Sequence, residues 1–405
     1  MKKRNHSSRL SDTNLRRRLL KISAIAPAFS LLAQGNASKA NVADPFAEVV
    51  EGKALNFPRD HGAHPDYRTE WWYLTGWLDQ GTRSLGFQVT FFRSRTVHSR
   101  SNPSRFSASQ LMFAHVAIAS PEQPGFAHDQ RSARAGFGYA SYATDSTDLR
   151  IGDWRLWQTD ADRYECLVRA RDFLLRLSMD AAAPVWEQGK GGYSQKGPMP
   201  TQASYYYSRP QLAIRAELQW AKKPSQAAMP KAEQFTGLGW LDHEWSSQIL
   251  DPQASGWDWI GLNLLNGDAL MAFQIRKSSK PLVNNGDKQI GSARGRAEVR
   301  EAVLWRHARM RRADQSSRDF SDSIGFGALR WWRSTRTGVS YPVEMAITFG
   351  ERTLKLIPLF DDQELDSRQS TGTLYWEGAV RVLEQGAVIG RGYLELTGYG
   401  DRLRL

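Results

Sequence analysis

One cysteine stands among 405 residues. Cys166 has no partner for an internal disulfide, which excludes a disulfide-stapled scaffold, and there is no cysteine pair for a zinc site. Its setting, Tyr164-Glu165-Cys166-Leu167-Val168, alternates as a strand does, so its simplest role is that of a small buried hydrophobe. The chain also lacks a glycine-rich phosphate loop and a Gly-x-Ser-x-Gly elbow. Those absences argue against nucleotide use and against an α/β-hydrolase mechanism. Long stretches of 3.6-residue periodicity are scarce after the first 40 residues, which argues against a helical protein.

What is present is aromatic surface. The hydrophobic share of 41%, with 15 Trp, 13 Tyr and 17 Phe, indicates a folded chain long enough for two domains. The net charge of +12 and pI near 9.8 suggest a polyanion partner at first sight. Residues 1–40, however, carry nine Lys/Arg against Asp12, which is +8 of the +12 and leaves +4 for the rest. No nucleic-acid partner is expected on that balance. The same 40 residues read Arg16-Arg17-Arg18-Leu19-Leu20-Lys21, then a mainly apolar stretch at 22–32, then small residues up to Ala40. That order matches a cleavable export signal of twin-arginine type, with an apolar core about half as long as a bilayer-spanning helix. A periplasmic or secreted location is expected.

From Phe57 onward, short strand-like runs follow one another. The segment 70–78, the turn Asp79-Gln80-Gly81 and the segment 84–92 read as a hairpin. Period-2 or fully apolar runs continue at 111–119, 173–179, 212–220, 257–264, 270–276, 343–349, 353–359, 373–383 and 389–397. The stretch 298–312 is interrupted by strand-like Val and Trp, so no helix is expected there. The fold class is all-β, with more strands than one barrel holds comfortably. Polar, turn-rich stretches at 222–231 and 251–256 flank a candidate boundary, giving one domain at 41–247 and a second at 248–405.

Beside that boundary lies Gly239-Trp240-Leu241-Asp242-His243-Glu244-Trp245-Ser246-Ser247, two carboxylates, an imidazole and two indoles within six residues. Asp242, His243 and Glu244 are the candidate catalytic residues. Strand alternation puts Asp242 and Glu244 on one face and His243 and Trp245 on the other. The expectation is that His243 and Trp245 face the ligand while the carboxylates tie down neighbouring segments. A buried His–Glu–Arg network locking two barrels together would read the same way. His61 and His64 are three apart with carboxylates near, but they sit in a Gly- and Pro-bearing loop without a third nitrogen or sulfur ligand, and no metal is expected. Glu70 is expected to be buried beside Trp71 and Trp72, with Arg68 a candidate partner. In Tyr205-Tyr206-Tyr207, the outer two point one way and the middle one the other. The basic run at 294–318, with Arg309, Arg311 and Arg312, reads as a solvated hairpin and loop.

His64-Pro65-Asp66-Tyr67-Arg68-Thr69-Glu70-Trp71-Trp72-Tyr73, the 239–247 motif, Gly256-Trp257-Asp258-Trp259-Ile260-Gly261, the segment 269–276 and the closing Gly392-Tyr393-Leu394-Glu395-Leu396-Thr397-Gly398-Tyr399 together resemble the carotenoid 1,2-hydratase family, most closely its secreted AttH-like branch of predicted hydrolases. The resemblance implies two tandem lipocalin-like β-barrels with a site between or inside them. Relatives include carotenoid hydratases, pericyclases and proteins encoded beside exporter genes, so it does not imply one reaction and calls for no cofactor. Acid-assisted hydration of an alkene needs a general acid, which Asp242, His243 or Glu244 would supply, and a surface that tolerates a carbocation. Trp240, Trp245, Trp257 and Trp259 are candidates for that surface, and Tyr205, Tyr207, His64, Glu70 and Trp72 complete the expected ligand-contacting set. Three readings follow: an enzyme acting on a long isoprenoid, polyene or lipid; a non-catalytic carrier serving an ABC-type exporter; or a module clamping a membrane complex.

Overall fold

The computed structural model describes residues 44–400 apart from 99–101, 105, 123–125, 161, 223–227 and 279–301. The export signal expected at 1–40 lies outside the described residues. Among the described residues the regular structure is strands apart from one 3-10 turn at Arg59–His61, and the all-β class read from the sequence is what they adopt. They form one 13-stranded and one 10-stranded antiparallel sheet. In each sheet the first strand pairs with the last. Thr69–Gln80 lies beside Glu233–Gln248, and Ala254–Leu264 beside Ala387–Thr397. That pairing curls both sheets into lipocalin-like, barrel-like units.

The expected first hairpin is Thr69–Gln80 with Arg83–Arg95, turning through Gly81 at φ +61°, a conformation that favours glycine. Cys166 is buried on Arg163–Arg169, and burial raises its thiol. The stretch 298–312 contains the strand Val303–Arg311.

Alternation sorts the side chains of the described residues into five clusters, of which three are large. One fills the interior of the first curled sheet, including Leu74, Phe87, Val89, Trp154 and Leu241. Another fills the second, including Ile260, Leu262, Val343 and Trp376. The third lies between the sheets and is aromatic, with Tyr73, Trp77, Tyr206, Trp240, Trp259, Phe273 and Tyr393. Polar contacts cross the same interface: Trp77 Nε1 donates to Gly392 O at 3.0 Å and Asn263 Nδ2 to Gly239 O at 3.0 Å. Open space lies against this aromatic core between the sheets.

Candidate functional site between the sheets

The motif strand Glu233–Gln248 is a shared wall. Leu241 points into the first core, and the period of two carries His243 and Trp245 to that side as well. Trp240, Asp242 and Glu244 therefore face the second sheet. The first hairpin alternates in step: Trp71 and Tyr73 face the second sheet, while Glu70, Trp72 and Leu74 turn inward.

Two spaces open at the interface, of about 90 Å³ and about 240 Å³. The first is walled by Trp71, Tyr73, Phe92, Trp257, Trp259 and Phe273, with Asp242, Glu244, Lys196, Glu377 and Glu395 among the lining groups. The second is lined by Trp77, Trp240, Tyr393 and backbone at Gly76, Gly237, Gly261 and Gly392. Trp240 and Trp259 meet edge-on between them at 6.2 Å.

The acids in the first space are held in different ways. Asp242 Oδ1 accepts from Trp240 Nε1 at 2.7 Å and Ser208 Oγ at 2.6 Å, and Oδ2 accepts from Tyr206 Oη at 2.7 Å. Burial pushes its pKa up to about 7, against the pull of those three donors and with Glu244 adding to the rise. Glu244 instead holds a buried ion pair, its Oε1 2.9 Å from Lys196 Nζ, and accepts from Ser204 Oγ. Lys196 Nζ also stands over the rings of Phe273 at 4.0 Å and Tyr206 at 4.6 Å. Burial lowers the Lys196 pKa, and Glu244 opposes the shift.

Across the cavity, Glu377 and Glu395 stand opposite one another on the paired strands Leu374–Glu384 and Ala387–Thr397. Glu395 Oε1 accepts from Trp257 Nε1 at 2.9 Å. Burial raises Glu395 to about 8 despite that donor, with Asp242 and Glu244 adding to the rise. Glu377 lies well above the usual carboxylate range, from burial first and then from the charge of Glu395. The site thus holds acidic protons near neutrality inside aromatic walls.

The opposite face of the motif strand carries a different network. Glu70 Oε1 accepts from His64 Nδ1 at 2.7 Å and His243 Nε2 at 2.9 Å, and Oε2 accepts from Arg93 Nε at 2.7 Å. Burial alone would raise Glu70, but Arg93, His64 and His243 hold it well below the usual range. Burial lowers His243 to about 4, with Glu70 opposing. His243 Nδ1 lies 3.2 Å from Tyr207 Oη, which lies 2.8 Å from His61 Nδ1. His64 stacks on Trp245 at 3.7 Å and Trp72 on His243 at 4.3 Å. One ligand atom each from His64, Glu70 and His243 falls within a mutual 4.8 Å, close enough to grip a cation. The guanidinium already on the same carboxylate works against a second positive charge there.

These contacts correct the side expected for the motif. Asp242 and Glu244 face the cavity, and His243 and Trp245 face away from it, because Leu241 and His243 share the phase that fills the first barrel. Tyr205, Tyr207, His64, Glu70 and Trp72 likewise belong to the inner network instead of the cavity wall. Glu70 pairs with Arg93 and not with Arg68, since Arg93 is its direct cross-strand partner. The expected His–Glu–Arg network exists, but it lies within the first unit. Trp257 and Trp259 line the first space and Trp240 the second. Arg309 and Arg311 are not simply solvated: they donate to carbonyls of Glu187, Gly189 and Pro184. Tyr73, Lys196, Tyr206, Glu377 and Glu395 join the site beyond the residues expected from the sequence. The signal for the last two was there, a lone acid inside Tyr375-Trp376-Glu377-Gly378 and inside Leu394-Glu395-Leu396, where alternation keeps both faces apolar.

The model of the AttH-like family matches residues 48–298 and 294–399. The chain belongs to the AttH-like family. This AttH-like protein is similar to the crystal structure of an AttH candidate from Nitrosomonas europaea, with 44% identity, 88% of this chain and 100% of that one covered, and a TM-score of 0.75. It also shares its fold with kievitone hydratase from Nectria haematococca, at 13% identity, 89% and 97% coverage and a TM-score of 0.59. No curated protein matches this AttH-like chain.

Proposed function

We propose that this AttH-like protein binds an apolar small molecule of the isoprenoid, polyene or lipid class between its two sheets and transfers a proton to it, in a hydration or a related lyase or hydrolase step. The observation that carries this reading is the pair Asp242 and Glu395, buried acids raised to about 7 and about 8 within one aromatic-walled space. A carrier needs the walls alone, and burying carboxyls in them costs stability. The structural neighbour named a hydratase shares the fold, and the acids carry the chemistry.

For an alkene, a carboxyl O–H gives its proton to one carbon and leaves a carbocation on the other. The ring faces of Trp71, Trp257 and Trp259 stabilise that cation, water adds to it, and the water's surplus proton returns to the carboxylate. The net change is one water added. The first space takes a small molecule or one end of a longer one, and a long chain would have to enter the second past Trp240 and Trp259. Export through the twin-arginine-type signal and work in the periplasm belong to the same proposal, while partnership with an ABC-type exporter belongs to the alternative, a non-catalytic carrier of the ligand.

The test uses β-farnesene with the protein in H₂¹⁸O buffer, following binding by tryptophan fluorescence and product by mass spectrometry. An ¹⁸O-labelled alcohol is expected. Asp242→Asn or Glu395→Gln should slow its formation by about 100-fold or more while binding changes little. Binding without product from the unmodified protein, over a panel of isoprenoid alkenes, would favour the carrier. No binding by any of them would overturn the cavity reading.

A further inference from the structure

Tyr73, Glu377 and Tyr393 bring hydroxyl-bearing groups to the same interface and leave them without partners. Tyr73 Oη, Glu377 Oε2 and Tyr393 Oη are buried with no hydrogen-bond partner among the described residues. The side chains are 4%, 3% and 1% exposed. They act on one another electrostatically: Tyr73 feels Glu377, Glu395 and Tyr393, and Tyr393 feels Glu377. Tyr73 comes from the first sheet and the other two from adjacent strands of the second, so the group forms only where the sheets meet. Gly86 keeps that place open, since a Cβ there would lie 3.0 Å from Tyr393 Oη and 2.5 Å from Ala379 Cβ.

Burial, and then the carboxyl of Glu395 that faces it, push Glu377 well above the usual carboxylate range and favour its protonated form. All three groups are then hydrogen-bond donors. A buried acceptor without a partner among the described residues, Gln88 Oε1, lies two residues from Thr90 of the first space, and its amide nitrogen donates to Thr90 Oγ1. Tyr73 and Glu377 line the first space and Tyr393 the second; buried polar groups left unpaired cost stability, and their gathering where two spaces approach marks where a ligand supplies the partner. An anion would find no free cation there among the described residues, since Lys196, the ammonium in the lining of the first space, is already paired with Glu244. A ligand hydroxyl would bring another donor to a place already rich in them. A carbonyl oxygen has two lone pairs and no proton.

We propose that Tyr73, Glu377 and Tyr393 form a subsite for a carbonyl oxygen, so that the ligand is an otherwise apolar molecule bearing a ketone or enone. This rests on the cavity being a ligand site. It is tested with two probes of one shape: geranylacetone, and the C13 hydrocarbon in which its C=O is replaced by CH₂. Geranylacetone should bind about tenfold more tightly, as two or more modest neutral hydrogen bonds imply. The infrared stretch of its ¹³C-labelled carbonyl should move below its position in hexane. Tyr73→Phe and Tyr393→Phe should each weaken geranylacetone by about two- to tenfold, leave the hydrocarbon unchanged, and raise the melting temperature of the unliganded protein by removing an unpaired buried hydroxyl. Equal affinity for both probes with an unshifted carbonyl overturns the subsite and leaves the apolar cavity standing. Tyr→Phe variants that melt lower and bind geranylacetone as before overturn it too. If neither probe binds, the cavity reading falls and the subsite with it.

Discussion

Glu70 Oε2 lies 2.7 Å from Arg93 Nε, the two side chains directly opposed across the first hairpin and both fully buried. Arg93 also donates to Gln110 Oε1 and to the carbonyls of His64 and Tyr67, so one guanidinium pins the 58–67 segment over the end of the first barrel. The charge on Glu70 is what permits this cation to be buried.

Glu70→Gln should therefore act on stability. It leaves Arg93 buried with its charge uncompensated, and about 3–5 kcal/mol should be lost in urea unfolding. The inner network does not touch the cavity, so a Glu70→Gln protein with unchanged unfolding would show that the network does not hold this segment down.

The titration of buried groups gives a pH window with a definite sign. Asp242 and Glu395, raised to about 7 and about 8, keep protons in the folded state that the unfolded chain has released above about pH 4–5. Their contribution is lost as pH rises through those folded values. His243 and His61, lowered to about 4 and about 3, act oppositely, and only below their unfolded value near 6.5. Between pH 6.5 and 8 the carboxyls are left to dominate, and unfolding free energy should fall with rising pH by up to ~1.4 kcal/mol per unit for each group still protonated. Denaturation series at pH 6.5, 7.2 and 8 check this. Glu395→Gln should flatten the decline, and an unchanged slope in that variant would mean Glu395 is already ionised.

Gly86 sits where the sheets approach closely beside Tyr393. A Cβ there would meet Ala379 Cβ at 2.5 Å and Ala119 Cβ at 3.3 Å. Two of those neighbours are stubs on strand backbone, so relief requires the sheets to move. Gly86→Ala should cost about 1–3 kcal/mol, as overpacking does, and should reduce ligand affinity together with stability. A variant of unchanged melting temperature would show that the interface is loose at this point.

How much of this was legible beforehand follows from the range of each interaction. The all-β class, the first hairpin and the buried Cys166 rest on period-2 patterning and turn residues, which act over a few positions. The AttH-like likeness was carried by long local motifs. Glu377 is 135 positions from the Asp242 it faces across the cavity, and Lys196 is 48 from Glu244. No local pattern pairs residues at such separations.

The 239–247 motif shows where the division lies. Its sequence alone determined that Asp242 and Glu244 share one face and His243 and Trp245 the other, because a strand's side chains alternate whatever surrounds it. Which face would meet a ligand was decided by the tertiary structure. The first barrel draws Leu241 into its core, His243 and Trp245 follow in phase beneath Glu70 and Arg93, and the second sheet docks on the side left over, where its own buried acids meet Asp242.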